Sequence, residues 1–100
     1  MQAPRFSTRV EGDDCVVEVS GELDMACADA LQSVLDPLHG SVVIDLSAVT
    51  FLDSSTIGVF VLTRKRLNAD GGELRLLRPH DVPRRAIEAC GLGDWIIEDL

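Results

Sequence analysis

The chain has 100 residues, 46% of them hydrophobic and 26% charged, which describes one ordinary globular domain with a respectable core. Nine basic against 17 acidic residues give a formal charge of −8, which repels phosphate backbones and anionic lipid headgroups over about a Debye length. With three Phe, one Trp and no Tyr there is no stacking platform for bases, so nucleic acid is not the expected partner, and the acidity suits a soluble cytoplasmic protein or one that docks on a basic surface.

Residues 5–10 read as a short half-buried strand. Gly12-Asp13-Asp14 is a turn, and Cys15 to Ser20 alternates apolar and polar, so the two strands form an antiparallel hairpin. Gly21-Glu22-Leu23-Asp24 breaks the pattern. Asp24 is suited to cap a helix from Met25 to about Leu38, with Ala26, Ala30, Leu31, Val34, Leu35 and Leu38 as its inner stripe. Val42 to Leu46, apolar except for Asp45, is expected to be a central strand covered on both faces.

A helix from Ser54 to Ala69 follows, apolar nearly all round in its first half and basic at Arg64-Lys65-Arg66. Cations near a helix C-terminus are favourable by about 0.3–1 kcal/mol each when exposed, which accounts for that triplet without a phosphate site. Asp70-Gly71-Gly72 ends the helix. Glu73 to Leu77 is the next strand, Pro79 to Ala89 the third helix, and Trp95 to Ile97 a final edge strand. Alternation after the hairpin predicts an α/β fold: one domain, residues 1–100, with a single mostly parallel sheet and right-handed crossover helices on a consistent side.

Little in the chain suggests catalysis. Cys15, Cys27 and Cys90 are far apart with no CxxC pair, and His39 and His80 stand alone, so neither a zinc site nor a disulfide framework is expected. No G-x-S-x-G elbow and no GxxxxGK[ST] loop is present. Asp24, Asp45 and Asp53 suit caps and solvated loops better than Mg²⁺. No cofactor is expected. Residues 1–5 lead into no apolar run, so no signal peptide is expected, and the longest apolar run, Ile57 to Leu62, is too short to cross a bilayer.

The stretch with surplus chemistry is Asp53-Ser54-Ser55. A helix cap explains it, at about 0.5–2 kcal/mol over Ala. A serine at a helix start is also a place where a phosphoryl group, adding about −1.5 to −2 charges, meets a favourable dipole.

Four segments carry a resemblance: Gly21-Glu22-Leu23-Asp24; Val43-Ile44-Asp45-Leu46-Ser47; Phe51-Leu52-Asp53-Ser54-Ser55-Thr56-Ile57-Gly58; and Gly71-Gly72-Glu73-Leu74. Together, from about residue 5 to 98, they resemble the STAS family, nearest to the bacterial anti-sigma factor antagonists. The resemblance implies a binding protein rather than an enzyme. Its partner would be an anti-sigma factor that is also a serine kinase; binding releases the sigma factor, phosphorylation ends the complex, and a serine phosphatase resets it. By position the acceptor is Ser54, with Ser55 second. Asp24, Asp53 and Thr56 would surround the phosphosite. Ile57, Gly58 and Val59 would face the partner, on a helix with an exposed apolar rim. Thr56 stands where the family pattern has glycine, which adds a third hydroxyl, and the chain stops at Leu100 where many relatives continue into a longer helix. STAS domains also serve as accessory subunits of lipid or anion transport systems and as ligand- or nucleotide-binding modules, which is the alternative implied.

Overall fold

The computed structural model describes residues 3–100; Met1 and Gln2, part of the expectation about a leader and of the outer domain bound, lie outside the described residues. Five strands, β1 (Arg5–Glu11), β2 (Asp14–Leu23), β3 (Ser41–Leu52), β4 (Glu73–Leu77) and β5 (Ile96–Ile97), lie side by side in chain order. β1 and β2 are antiparallel and every later pairing is parallel. The crossovers carry α1 (Ala28–Leu35), α2 (Ser54–Ala69) and α3 (Asp81–Ala89). This is the expected α/β sheet, an antiparallel hairpin followed by parallel strands.

Strand order equal to chain order, with right-handed crossovers, sends the helices to one face. Leu31 and Leu35 of α1, Phe60 and Leu67 of α2 and Ile87 of α3 pack there with Val17, Ile44 and Leu76. The other face has a smaller cluster built from strands alone: Val16, Val43 and Leu77, with Ile97 against them. The expectation that β3 is covered on both faces therefore holds for burial, but only one cover is helical. On the other face Arg75, the registered neighbour of Val43, donates to Asp14 at 2.7 Å, and Ser41 donates to the same carboxylate at 2.5 Å. Long side chains thus close over the valines.

Several elements depart from the expected bounds: α3 starts at Asp81 rather than Pro79, β5 at Ile96 rather than Trp95, and β2, β3 and α1 differ more. β2 does not break at Gly21 but runs to Leu23, and β3 extends beyond Leu46 to Leu52 beside it. Gly21 adopts a φ of 96°, open to glycine, and the register shifts on either side of it. A bulge, not a strand end, is what the glycine encodes.

The first helix is shorter than the Met25–Leu38 stripe suggests. Met25–Cys27 is a 3-10 turn, and α1 ends at Leu35. Pro37, which has no N–H to continue the ladder, stops the helix early. The Arg66 guanidinium of α2 then donates to the carbonyls of Leu35, at the helix end, and Leu38, just past it, both at 2.9 Å. So the basic triplet divides its work. Arg66 caps α1, Arg64 lies over the Trp95 ring at 4.3 Å, and Lys65 is exposed.

Candidate functional site

The site forms where β2 and β3 end together and α2 begins. Leu23 and Leu52 are registered neighbours at the C-terminal ends of parallel strands. The Leu23 carbonyl accepts the Asp53 backbone N–H at 3.2 Å, which fixes the entry of α2 against the end of β2. It also accepts the Thr56 hydroxyl at 3.0 Å.

Asp53 is the N-cap of α2, with extended backbone at φ −114°. One carboxylate oxygen accepts the N–H groups of Ser55 and Thr56 at 3.1 and 3.2 Å and the Ser55 hydroxyl at 2.6 Å. These bonds hold the Asp53 carboxyl below the ordinary carboxylate range: the Ser55 hydroxyl contributes most, and burial works against it. Asp53 is therefore charged near neutrality, at the positive end of the helix.

Asp24 does the same for the neighbouring 3-10 turn, accepting from the Ala26 N–H at 3.0 Å and the Cys27 thiol at 3.2 Å. It caps a different element from the expected long helix, but in the expected manner. Burial pushes the Cys27 thiol up, and its bond to Asp24 adds to that.

The three consecutive hydroxyls have separate fates. Thr56 is fully buried, and its hydroxyl is committed to Leu23. Ser55 is half-buried and committed to Asp53. Ser54, in the first turn, is exposed, and among the described residues no side-chain partner holds its hydroxyl. Among the described residues neither His39 nor His80 is bonded to any of the three hydroxyls.

Ser54, Gly58, Val61, Leu62 and Lys65 follow one another at helical spacing and are exposed. Val61 and Leu62 are 42% and 62% exposed, and Met25, on the 3-10 turn packed beside α2, is 74% exposed. This is the apolar rim expected of the helix. Of the three residues expected to face the partner, two are covered by the fold itself. Ile57 and Val59 are buried at 7% and 8% exposure in the main core, because they fall on the sheet side of the turn. Gly58 alone of the three faces outward. Met25, Val61 and Leu62 take the places that sequence reasoning gave to Ile57 and Val59. The 3.6-residue period counted from Ser54 would have found Val61 and Leu62.

A separate hollow of about 370 Å³ lies along β1, β2 and β3, lined by Arg5, Ser7, Glu18, Ser20, Asp45 and Ser47 among others. None of the Asp53–Thr56 residues borders it. Among the described residues no group of three or more His, Cys, Asp and Glu side chains is placed to hold a metal ion. No helix among them is long and apolar enough to cross a membrane.

The STAS domain model matches residues 5–100. The chain belongs to the STAS domain family. An anti-sigma-B factor antagonist of Staphylococcus aureus is 37% identical to this STAS domain over 82 residues, 78% of this chain and 76% of that protein. An anti-sigma factor antagonist from Mycobacterium paratuberculosis superposes with a TM-score of 0.88 at 29% identity, over 98% of this chain and 88% of that one. The anti-sigma factor antagonist SpoIIAA, solved in unphosphorylated and phosphorylated forms, superposes with TM-scores of 0.86 and 0.76 over 96% of this chain and 89% and 92% of those. At 22% identity that last likeness is one of fold.

Proposed function

We propose that this STAS domain is an anti-sigma factor antagonist, a binding protein rather than a catalyst, working in the cytoplasm as one domain of residues 1–100. Its partner is an anti-sigma factor with serine kinase activity. The unphosphorylated protein docks through the start of α2 and so releases the sigma factor. Transfer of the ATP γ-phosphoryl group to the Ser54 hydroxyl, with ADP leaving, ends the complex, and a serine phosphatase restores it.

The observation that carries the reading is the sorting of the three hydroxyls. Only Ser54 offers an exposed, uncommitted oxygen, and it sits beside the apolar rim of Met25, Gly58, Val61 and Leu62. A phosphoryl group there finds the positive end of α2 below it, so the fold tolerates the charge. The charged Asp53 carboxylate beside it does nothing to neutralise it, and Asp24, on the neighbouring 3-10 turn, supplies no cation. A partner that buries the rim must then desolvate a dianion, which is costly without a matching cation. Charge on Ser54 thus alters docking rather than folding.

Phosphate mapping tests the assignment. Incubation with the cognate kinase and ATP, followed by fragmentation mass spectrometry, is expected to place a single phosphate on Ser54 and none on Ser55 or Thr56. Phosphate on Ser55 in a Ser54-intact protein contradicts it.

A further inference from the structure

The outer edge of β1 has no strand beside it among the described residues. It is seven residues long, Arg5-Phe6-Ser7-Thr8-Arg9-Val10-Glu11, and Val10 is 80% exposed. An unpaired edge of this length, carrying an exposed β-branched residue, is a template for another strand. Because β1 is antiparallel to β2, its side chains divide between the faces in a known way. Arg5, Ser7, Arg9 and Glu11 share the strand-only face with Val16 and Glu18. Phe6, Thr8 and Val10 share the helical face with Val17 and Val19.

We infer that β1 pairs antiparallel with β1 of a second copy of this chain, about a two-fold axis at Thr8, giving a weak dimer with a continuous ten-strand sheet. The sequence of the edge is self-complementary about that residue. Arg5 of each copy stands opposite Glu11 of the other, Phe6 opposite Val10, Ser7 opposite Arg9, and Thr8 opposite its own copy. Opposite charges, aromatic with β-branched residues, and Thr with Thr are favourable cross-strand pairs. A two-fold axis makes the Arg5–Glu11 and Phe6–Val10 pairs each occur twice, with the Thr8 pair on the axis.

The neighbouring registers are excluded by charge. Centring the axis on Ser7 puts Arg5 opposite Arg9, and centring it on Arg9 puts that arginine opposite itself. Like charges directly opposite destabilise a pair. Arg5 forms no ion pair among the described residues, so it is available; Glu11 already holds Arg9 of its own chain at 2.8 Å, but its side chain is half exposed, so Arg5 of the other copy shares it while Arg9 also reaches Glu18 at 3.4 Å. A seven-residue edge is a small interface, and each copy carries −8, so the association is concentration-dependent rather than obligate.

Sedimentation equilibrium of the full chain, from micromolar to millimolar protein, tests the inference. The wild-type weight-average mass is expected to rise toward that of a dimer. Arg5→Glu and Glu11→Arg, each of which sets like charges face to face twice, are expected to weaken association by about tenfold. The double swap Arg5→Glu/Glu11→Arg rebuilds the pairs and is expected to recover it, which a variant that merely misfolded would not do. A wild-type monomer at every concentration overturns the inference. So do single variants that associate like wild type, or a double swap that stays monomeric. Ser54→Asp lies on another element and is expected to leave the self-association unchanged, so this result stands apart from the switch at Ser54.

Discussion

Threonines 56 and 63 show how much one hydroxyl decides within a single helix. Both are buried in α2, at 0% and 1% exposure, but Thr56 donates to Leu23 while the Thr63 oxygen has no hydrogen-bond partner. Thr56→Val, which keeps the shape, is expected to destabilise the protein by about 1 kcal/mol. Thr63→Val is expected to be neutral or stabilising, since an unpaired buried polar atom is removed; urea unfolding of both variants checks the pair. Asp53 gives a pH test. Its folded pKa is lowered from the ordinary 3.8, so its charge contributes stability above pH 3.8 that is lost as pH falls through the lower folded value. Asp53→Asn keeps the acceptor oxygen and loses the charge. Its deficit against wild type is expected to be full above pH 3.8 and to shrink in more acid solution, and a constant deficit across that range contradicts the sign. The motif pointed to Ser54, but the burial of Thr56, which leaves Ser54 as the exposed hydroxyl of the three, was not legible from it, because the carbonyl that Thr56 bonds stands 33 residues away in the sequence.

At the scale of elements, periodicity and caps carried the reading far. The bounds of α2, Ser54 to Ala69, follow from Asp53 as cap and from Asp70-Gly71 as stop. The errors arose where one element is shaped by another. Gly21 looks like a terminator in isolation, yet pairing with β3 carries β2 past it as a bulge. The apolar stripe of α1 continues to Leu38, yet Pro37 ends the helix and Arg66 of α2 ties down the carbonyls of Leu35 and Leu38 at and just past its end. That contact joins residues 28 and 31 positions apart, outside any local window. Arg66→Ala is expected to cost about 1.5 kcal/mol through loss of two charge-assisted bonds. Its effect should concentrate in faster amide exchange over α1. Arg66→Lys, without a planar fork to reach both carbonyls, is expected to recover only part of it. Unchanged exchange in α1 with Arg66→Ala contradicts the capping role. The same locality explains Ile57 and Val59: a motif says that a stretch meets a partner, but only the helix phase says which of its side chains can.

For the whole molecule, the sheet does two separate things. Its helical face and strand ends hold α2 with Ser54 at an exposed first turn, and its outer strand leaves one edge open. The opening hairpin and the parallel strands after it were legible because alternation of strand and helix implies crossover connections; the order of the strands was not read from the sequence. Acidic charge sets the background for the proposed switch: against −8 in total, a phosphoryl group on Ser54 would act by position and not by sum. The most direct measurement is the affinity of the proposed anti-sigma factor partner for wild type, Ser54→Ala and Ser54→Asp, by titration calorimetry, with the thermal midpoint of each variant recorded alongside. A switch at Ser54 requires Ser54→Ala to bind like wild type. It requires Ser54→Asp to lose at least tenfold in affinity, about 1.4 kcal/mol, while keeping the midpoint of a folded protein. Equal binding by wild type and Ser54→Asp contradicts it.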